Sequence, residues 1–229
     1  MVNFGGKIMT FKTVLPVAAA ALTAMATSAQ ALVIPVGPQN DVAIATVTGD
    51  WGWTLCDSRT YSVGNAGGFS SLDQSCSGFD QIMLAGRETG SDILDVLAAT
   101  NLIDATTDTG AANNNLVTTS NGADWYYNTD YSWGFAGVGD VISKTQCDTA
   151  GRDERDRLCW HTLASNVGGY RSGDNLSLNG STSFEKLVFV GNANGGPIDP
   201  PIDVSEPGTL GLLGAGLMGL GLAWRRRKA

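Results

Sequence analysis

Apolar and polar positions alternate with a period of two over several short stretches, and clusters of Gly, Asn, Asp and Ser separate these stretches. In "DVAIATVTGDWGWTLC", Val42, Ile44 and Val47 alternate with small or polar neighbours before Trp51 and Trp53, which predicts a strand. "FEKLVFVGN" is a continuous apolar run, a buried strand stopped by Gly191. "GADWYYNTDYSWGFAG" predicts a hairpin. Trp125 and Tyr127 share one face, Asn128-Thr129-Asp130 supply the turn, and Tyr131, Trp133 and Phe135 share a face on the return. One segment, "GSDILDVLAATNL", fits either period, and Ser91 could cap a short helix there. These elements predict a mainly β, sandwich-like single domain over residues 32–191.

The pattern also repeats itself. Phe79 to Gly86, "FDQIMLAG", echoes Phe184 to Gly191, "FEKLVFVG", each preceded by Gly-Gly-aromatic and, further upstream, by a cysteine in "WTLCD" or "RLCWH". The echo suggests a domain built of two related halves. Short apolar strands resemble one another, so a chance likeness stands beside that reading.

The two ends follow other rules. Lys7 and Lys12 precede an apolar run from Val14 to about Ala26, and small residues ending Ala29-Gln30-Ala31 follow. This is the layout of a secretory signal peptide over residues 1–31, cut after Ala31, with Met9 as a second candidate start. Residues 192–203 are rich in Gly, Pro and Asp and read as a linker. Residues 204–229 hold an uncharged run up to Trp224, then Arg225, Arg226, Arg227 and Lys228. A helix over 208–224 would rise roughly 25 Å, a short transmembrane span whose basic end stays cytoplasmic. Gly214-Ala215-Gly216-Leu217-Met218-Gly219 fits the dinucleotide fingerprint, but no strand precedes it and no acidic residue follows, which argues against a nucleotide cofactor.

With Ser205, Glu206 and Pro207, the Gly/Leu-rich span and the Arg225, Arg226, Arg227 cluster, the tail resembles the PEP-CTERM sorting signal. The family's first motif proline is Ser205 here. The resemblance covers the tail alone. It implies export, transient anchoring in the inner membrane, and recognition by an exosortase, a membrane enzyme that cuts near the motif and passes the protein to the envelope or the extracellular space.

Composition sharpens this picture. Six of the 14 basic residues lie in the two end segments, and of the 22 acidic residues only Glu206 does, which leaves eight basic against 21 acidic residues between them. So acidic a surface repels nucleic acid and anionic lipid, and excludes a nucleic-acid partner. The four cysteines, Cys56, Cys76, Cys147 and Cys159, form an even set in an exported chain, so disulfides are expected. Of three connectivities, Cys56 with Cys76 and Cys147 with Cys159 join near neighbours. A zinc site lacks C-x-x-C spacing, and His161 is the one histidine, so no metal and no other cofactor is expected.

No catalytic constellation stands out, so the expectation is a non-enzymatic protein. His161 has no G-x-S-x-G nucleophile to serve. The carboxylate pairs Asp57/Asp73 and Asp124/Asp130 carry little weight in a chain with 22 acids, and "GRDERDRLC" reads as a solvated, salt-bridged loop. The best binding candidate is the aromatic hairpin, where Trp125, Tyr126, Tyr131 and Trp133 could stack on the apolar face of a sugar, with Tyr126 outermost. Three functional readings result: a secreted or cell-surface protein of the extracellular polysaccharide matrix or biofilm, a glycan-binding module, and, less favoured, a polysaccharide hydrolase.

Overall fold

The computed structural model describes residues 31–114, 116–149 and 154–194. The signal segment 1–30, the linker from 195 and the tail with its expected 208–224 span lie outside them. Among the described residues, no helix is long and apolar enough to cross a membrane.

The domain is mainly β, as its alternation predicts. Strands β1 (Gln39–Ala43), β2 (Thr54–Thr60), β3 (Gln81–Glu88) and β4 (Ile93–Asn101) precede β5 (Thr118–Ser120), β6 (Ala123–Tyr127), β7 (Ser132–Gly137) and β8 (Leu158–His161). Two-residue β9 (Arg171–Ser172) and β10 (Asn175–Leu176) lead to the last strand, β11 (Phe184–Gly191). They make two antiparallel sheets, in the orders β1-β4-β3-β11-β2 and β10-β9-β8-β7-β6-β5.

Both faces of both sheets are covered, which is why the central strands read as continuous apolar runs. Ile82, Leu84, Val96, Ala98, Val188 and Val190 of the first sheet face Trp125, Tyr127, Trp133, Phe135, Leu158 and Trp160 of the second. The alternate residues Met83, Ala85, Leu97, Ala99, Leu187 and Phe189 point outward, under a lid made by the segments before and after β1, with Val47 and Trp53 at its centre. On the far side, Tyr126, Ala136 and Cys159 lie under Ile142 and Cys147.

That lid corrects one expectation. The strand predicted to run on through Ile44 and Val47 ends at Ala43, and a helical turn, Thr46–Asp50, follows. The chain must cross the outer face here to shield it, and Trp53 Nε1 donates to Val33 O at 2.8 Å to hold the crossing. The ambiguous segment resolves as strand β4, bonded on both edges to β1 and β3. The short helix α1 (Leu102–Thr106) comes only afterwards. Asn101 rather than Ser91 caps it, accepting from Asp104 N at 2.8 Å.

The two echoing segments are direct neighbours, β3 and β11, paired antiparallel from Gln81↔Gly191 to Glu88↔Phe184. They are not counterparts in two related halves. β1 to β4 all lie in one sheet and β5 to β10 in the other, and β2 pairs with β11 whereas β8 does not touch β3 as a ladder partner. The likeness has a simpler cause: both strands are central and buried on both faces, so both need apolar side chains at every inner position.

Both disulfides join the expected near neighbours, Cys56 to Cys76 and Cys147 to Cys159. Cys56 falls where the β2–β11 register shifts. Its bridge holds residues 68–77 along the otherwise free edge of β2, aided by Ser75 Oγ donating to Cys56 O (3.0 Å) and Asp73 N to Asp57 Oδ2 (3.2 Å). An edge so covered cannot template pairing with another chain.

Two core tryptophans make a discriminating pair. Trp133 Nε1 donates to Ala105 O at 2.9 Å, whereas Trp125 Nε1 is buried without a partner. Trp→Phe removes comparable area at each site, but only at 133 does it orphan a buried carbonyl. Urea unfolding should show Trp133→Phe less stable than Trp125→Phe by about 1–2 kcal/mol.

Candidate functional site

The predicted hairpin forms, with Trp125 opposite Phe135 and Tyr127 opposite Trp133. The structure turns its rings inward. Trp125, Tyr126 and Trp133 have no exposed surface. Trp133 packs edge-on against Trp160 (5.6 Å) and Tyr127 (5.5 Å) between the sheets. Tyr126 does face away from Trp125, but the loop that carries Ile142 and Cys147 covers it, and its hydroxyl donates to Leu158 O at 2.9 Å. Its ring fits because Gly134 lies opposite: a Cβ there would collide with Leu158 O and Tyr126 Oη. Tyr131 sits in the turn rather than on the strand and alone of the four is open, at 39 % exposure. The hairpin is therefore core and offers no stacking platform for a sugar. The glycan reading built on it is corrected.

The predicted charged loop is corrected in part. Arg155 is exposed and pairs with Asp41 at 2.7 Å, as a solvated loop would. Arg157, however, is buried. Its Nη1 donates to Asp148 Oδ1 (3.1 Å) and Val141 O (2.9 Å), and its Nη2 lies 3.1 Å from Asp140. Arg171, on β9, reaches the same Asp148 through the backbone carbonyl at 3.2 Å and also donates to Glu154 O at 2.9 Å. Burial pushes the Asp148 carboxyl above the usual range, and the two guanidinium groups oppose it. Beside the Cys147–Cys159 bridge, this knot clamps the loop onto the outer face of the second sheet. Sequence reasoning missed it, since alternating charge gives no sign of which members turn inward. No solvent reaches Asp148, so the knot is structural.

The other nominated groups are also engaged locally. His161 is buried at the end of β8, where desolvation lowers its imidazole and a hydrogen bond to the Tyr131 backbone opposes the shift. Asp57 pairs with Arg59 at 2.6 Å, while the Asp73 carboxylate accepts from Ser75 N, which holds it below the usual carboxylate range. Asp124 accepts from Thr119 Oγ1 and Gly139 N, apart from exposed Asp130. Among the described residues no group of three or more His, Cys, Asp or Glu is placed to hold a metal ion. A shallow concavity of about 350 Å³, lined by Phe69, Leu72, Asp73 and Gln74, contains one carboxylate and no partner for acid/base work.

What the fold does position is the exit of the tail. β11 ends at Gly191, and the next two residues are clasped to the start of β3. Asp80 N donates to Asn192 Oδ1 and Ala193 N donates to Asp80 Oδ1, each at 3.0 Å. The other end of the domain meets this point: a Cβ on Gly191 would lie 2.6 Å from a Leu32 methyl. Chain entry and chain exit meet at one end of the strands of the first sheet.

The motif residues Ser205, Glu206, Pro207, Arg225, Arg226 and Arg227 lie outside the described residues. Comparison with known proteins identifies them. The family model of the PEP-CTERM protein-sorting motif matches residues 203–228. No curated protein and no solved structure matches the chain. The match marks an exported protein sorted at a membrane through its C-terminal tail.

Two substitutions probe the interior charges. Asp148→Ala removes the one fully buried carboxylate of the knot and leaves Arg157 with Asp140 and Glu154 nearer the surface, so it should destabilise by about 1–3 kcal/mol in denaturant titration. Asp95, half-buried behind Ser172, has its carboxyl raised to about 6, first by desolvation and then, against the Ser172 hydrogen bond, by Glu88, Asp174 and Asp41. Its contribution to stability is complete below the unfolded value of 3.8 and declines as pH rises through 6. Asp95→Asn should be more stable than the parent at pH 7.5 by about 1 kcal/mol, after discounting for solvent screening, with the difference gone near pH 4.

Proposed function

We propose that this PEP-CTERM-tailed chain is an exosortase substrate whose mature domain is a non-enzymatic component of the cell envelope or the extracellular polysaccharide matrix. One observation carries the reading: a sorting motif at residues 203–228 follows a folded domain that closes at Gly191 and Asn192. The signal peptide and its cut after Ala31, the transmembrane helix over 208–224 and the cytoplasmic basic end belong to this proposal.

The architecture suits that route. Chain entry and exit lie side by side, so one end of the first sheet's strands faces the membrane while both end segments are still attached. Residues 194–204 have a contour of up to roughly 35 Å at 3.3 Å per residue, enough to hold the motif clear of the domain. The nominated chemical groups are engaged internally, which supports a structural rather than catalytic role. Polysaccharide is the proposed surrounding of the mature protein. The aromatic hairpin is not the means of contact.

The test is processing in the producing cell. The mature protein should appear outside the inner membrane, its intact mass lacking Arg225 to Lys228. Glu206→Ala together with Pro207→Ala should retain the full tail in the membrane fraction. Persistence of the basic end on exported wild-type protein would refute the reading.

A further inference from the structure

Lys186 is the least explained ionisable group in the domain. It lies on β11 opposite Arg59 of β2, facing the space between the sheets, and is 3 % exposed. Its Nζ donates to Val63 O at 2.6 Å and to Asn65 Oδ1 at 3.1 Å, and stands 5.8 Å from the Tyr61 ring centre. Asn65 is itself 2 % exposed. Among the described residues no carboxylate pairs with Lys186. Asp57, on the same face of β2, is held by Arg59. A buried ammonium without a counter-ion is costly, and the group responds by losing its proton. Desolvation first, and then the Arg59 cation, bring the amine down to about 7.

We infer that Lys186 and Asn65 become joined by a side-chain amide, Nζ to Cγ, with loss of ammonia. A neutral amine has two N–H donors, which the contacts to Val63 O and Asn65 Oδ1 use, and a lone pair left as nucleophile. The contact to Oδ1 polarises the carboxamide that it attacks. The Nζ–Cγ bond forms and the Cγ–Nδ2 bond breaks. One Nζ proton moves to the departing nitrogen, so ammonia leaves and no charge or oxidant is needed. With Nζ already against Oδ1, a small rotation of the carboxamide brings Cγ to the amine, and groups so aligned react as if at an effective concentration of about 10⁵ M or more. The product removes a charge from the interior, and burial keeps water from hydrolysing it.

A second lysine provides the contrast. Lys144 Nζ likewise donates to an asparagine, Asn114 Oδ1 at 3.2 Å, but Asn114 is exposed, so water competes at its carboxamide. Of these two pairs among the described residues, the Lys186 pair alone has both partners sealed. The link also has a mechanical consequence. β11 is the strand from which the sorting tail hangs, so a tie between Lys186 and the loop after β2 would resist its extraction by any pull through the tail.

The experiment is intact-mass and tandem mass spectrometry on the full chain recovered from an oxidising compartment. The expected mass is that of the processed sequence, less the hydrogens of two disulfides, less one ammonia. Digestion should yield a branched peptide joining Lys186 to Asn65. Lys186→Arg, which keeps a long donor side chain but has no amine nucleophile, should show no loss of ammonia. Separate peptides with a free Lys186 amine and an intact Asn65 carboxamide would overturn the inference, even if the variant fails to fold. So would an ammonia loss located at Asn121-Gly122, Asn179-Gly180 or Asn194-Gly195, the Asn-Gly steps at which a succinimide forms most readily. Because the readout is internal to the domain, it stands whether or not the tail is processed.

Discussion

The last strand of the domain is hydrogen-bonded along both of its edges, to β3 over its full length and to β2 with one register shift. Much of the architecture depends on that double pairing. Without β11 the five-stranded sheet splits in two, the outer cluster loses Leu187 and Phe189, and the central core loses Val188 and Val190. A strand that is central in space yet last in sequence also fixes an order of events. The sheet closes only after residue 191 has cleared whatever pore delivers the chain, so closure coincides with the arrival of the tail. Load applied through the tail then meets two ladders and the Asp80 clasp, rather than a single edge that could peel.

A sandwich whose sheets are covered on both faces has a further cost. Loops supply the covers, and loops bring polar residues with them. The first sheet meets this with Trp51, Trp53 and the apolar residues between Leu32 and Ile44. The second sheet is covered by a segment containing Lys144, Asp148 and Arg157, all buried. Each is satisfied by backbone carbonyls or opposite charge: Lys144 by Thr109 O and Leu116 O, Arg157 by Asp148 and Val141 O. Such a cover is specific rather than strong, because desolvating the ions consumes much of what their attraction returns. The Cys147–Cys159 bridge ties the same segment to β8 and so limits the entropy of the loop that must be ordered.

Alternation made the strands legible, and the turn chemistry of Asn128 to Asp130 placed the hairpin between β6 and β7. Cysteine spacing led to the bridges that formed, and the order of motif, span and basic end led to the sorting tail. Three features resisted, each for a stated physical reason. Strand period tells which residues share a face but not whether a loop will cover it, so Tyr126 read as exposed although Ile142 and Cys147 shield it. Apolar likeness between β3 and β11 reports a shared environment, burial on two faces, which sequence alone does not separate from duplication. Alternating charge in residues 151–159 concealed that Arg157 turns inward, because what selects it is Asp148, brought there by the left-handed backbone at Cys147 and Asp148.

The inward aromatics also bear on how this domain serves an exported protein. Trp125, Trp133 and Trp160 make a single core of interlocking rings, which leaves the outside to carboxylates, turns and short edges. The two edges of the first sheet are guarded. Residues 68–77 are stapled along β2, and beside β1 Asp41 pairs with Arg155 while Asn40 Nδ2 donates to Asp156 at 2.8 Å. An exported chain is exposed to edge-to-edge association, and covered edges with an excess of acidic side chains oppose it. The addressing information then resides in the tail, and the domain contributes a closed, charged body that travels with it. Its tryptophans are therefore better understood as the source of that closure than as a surface for a ligand.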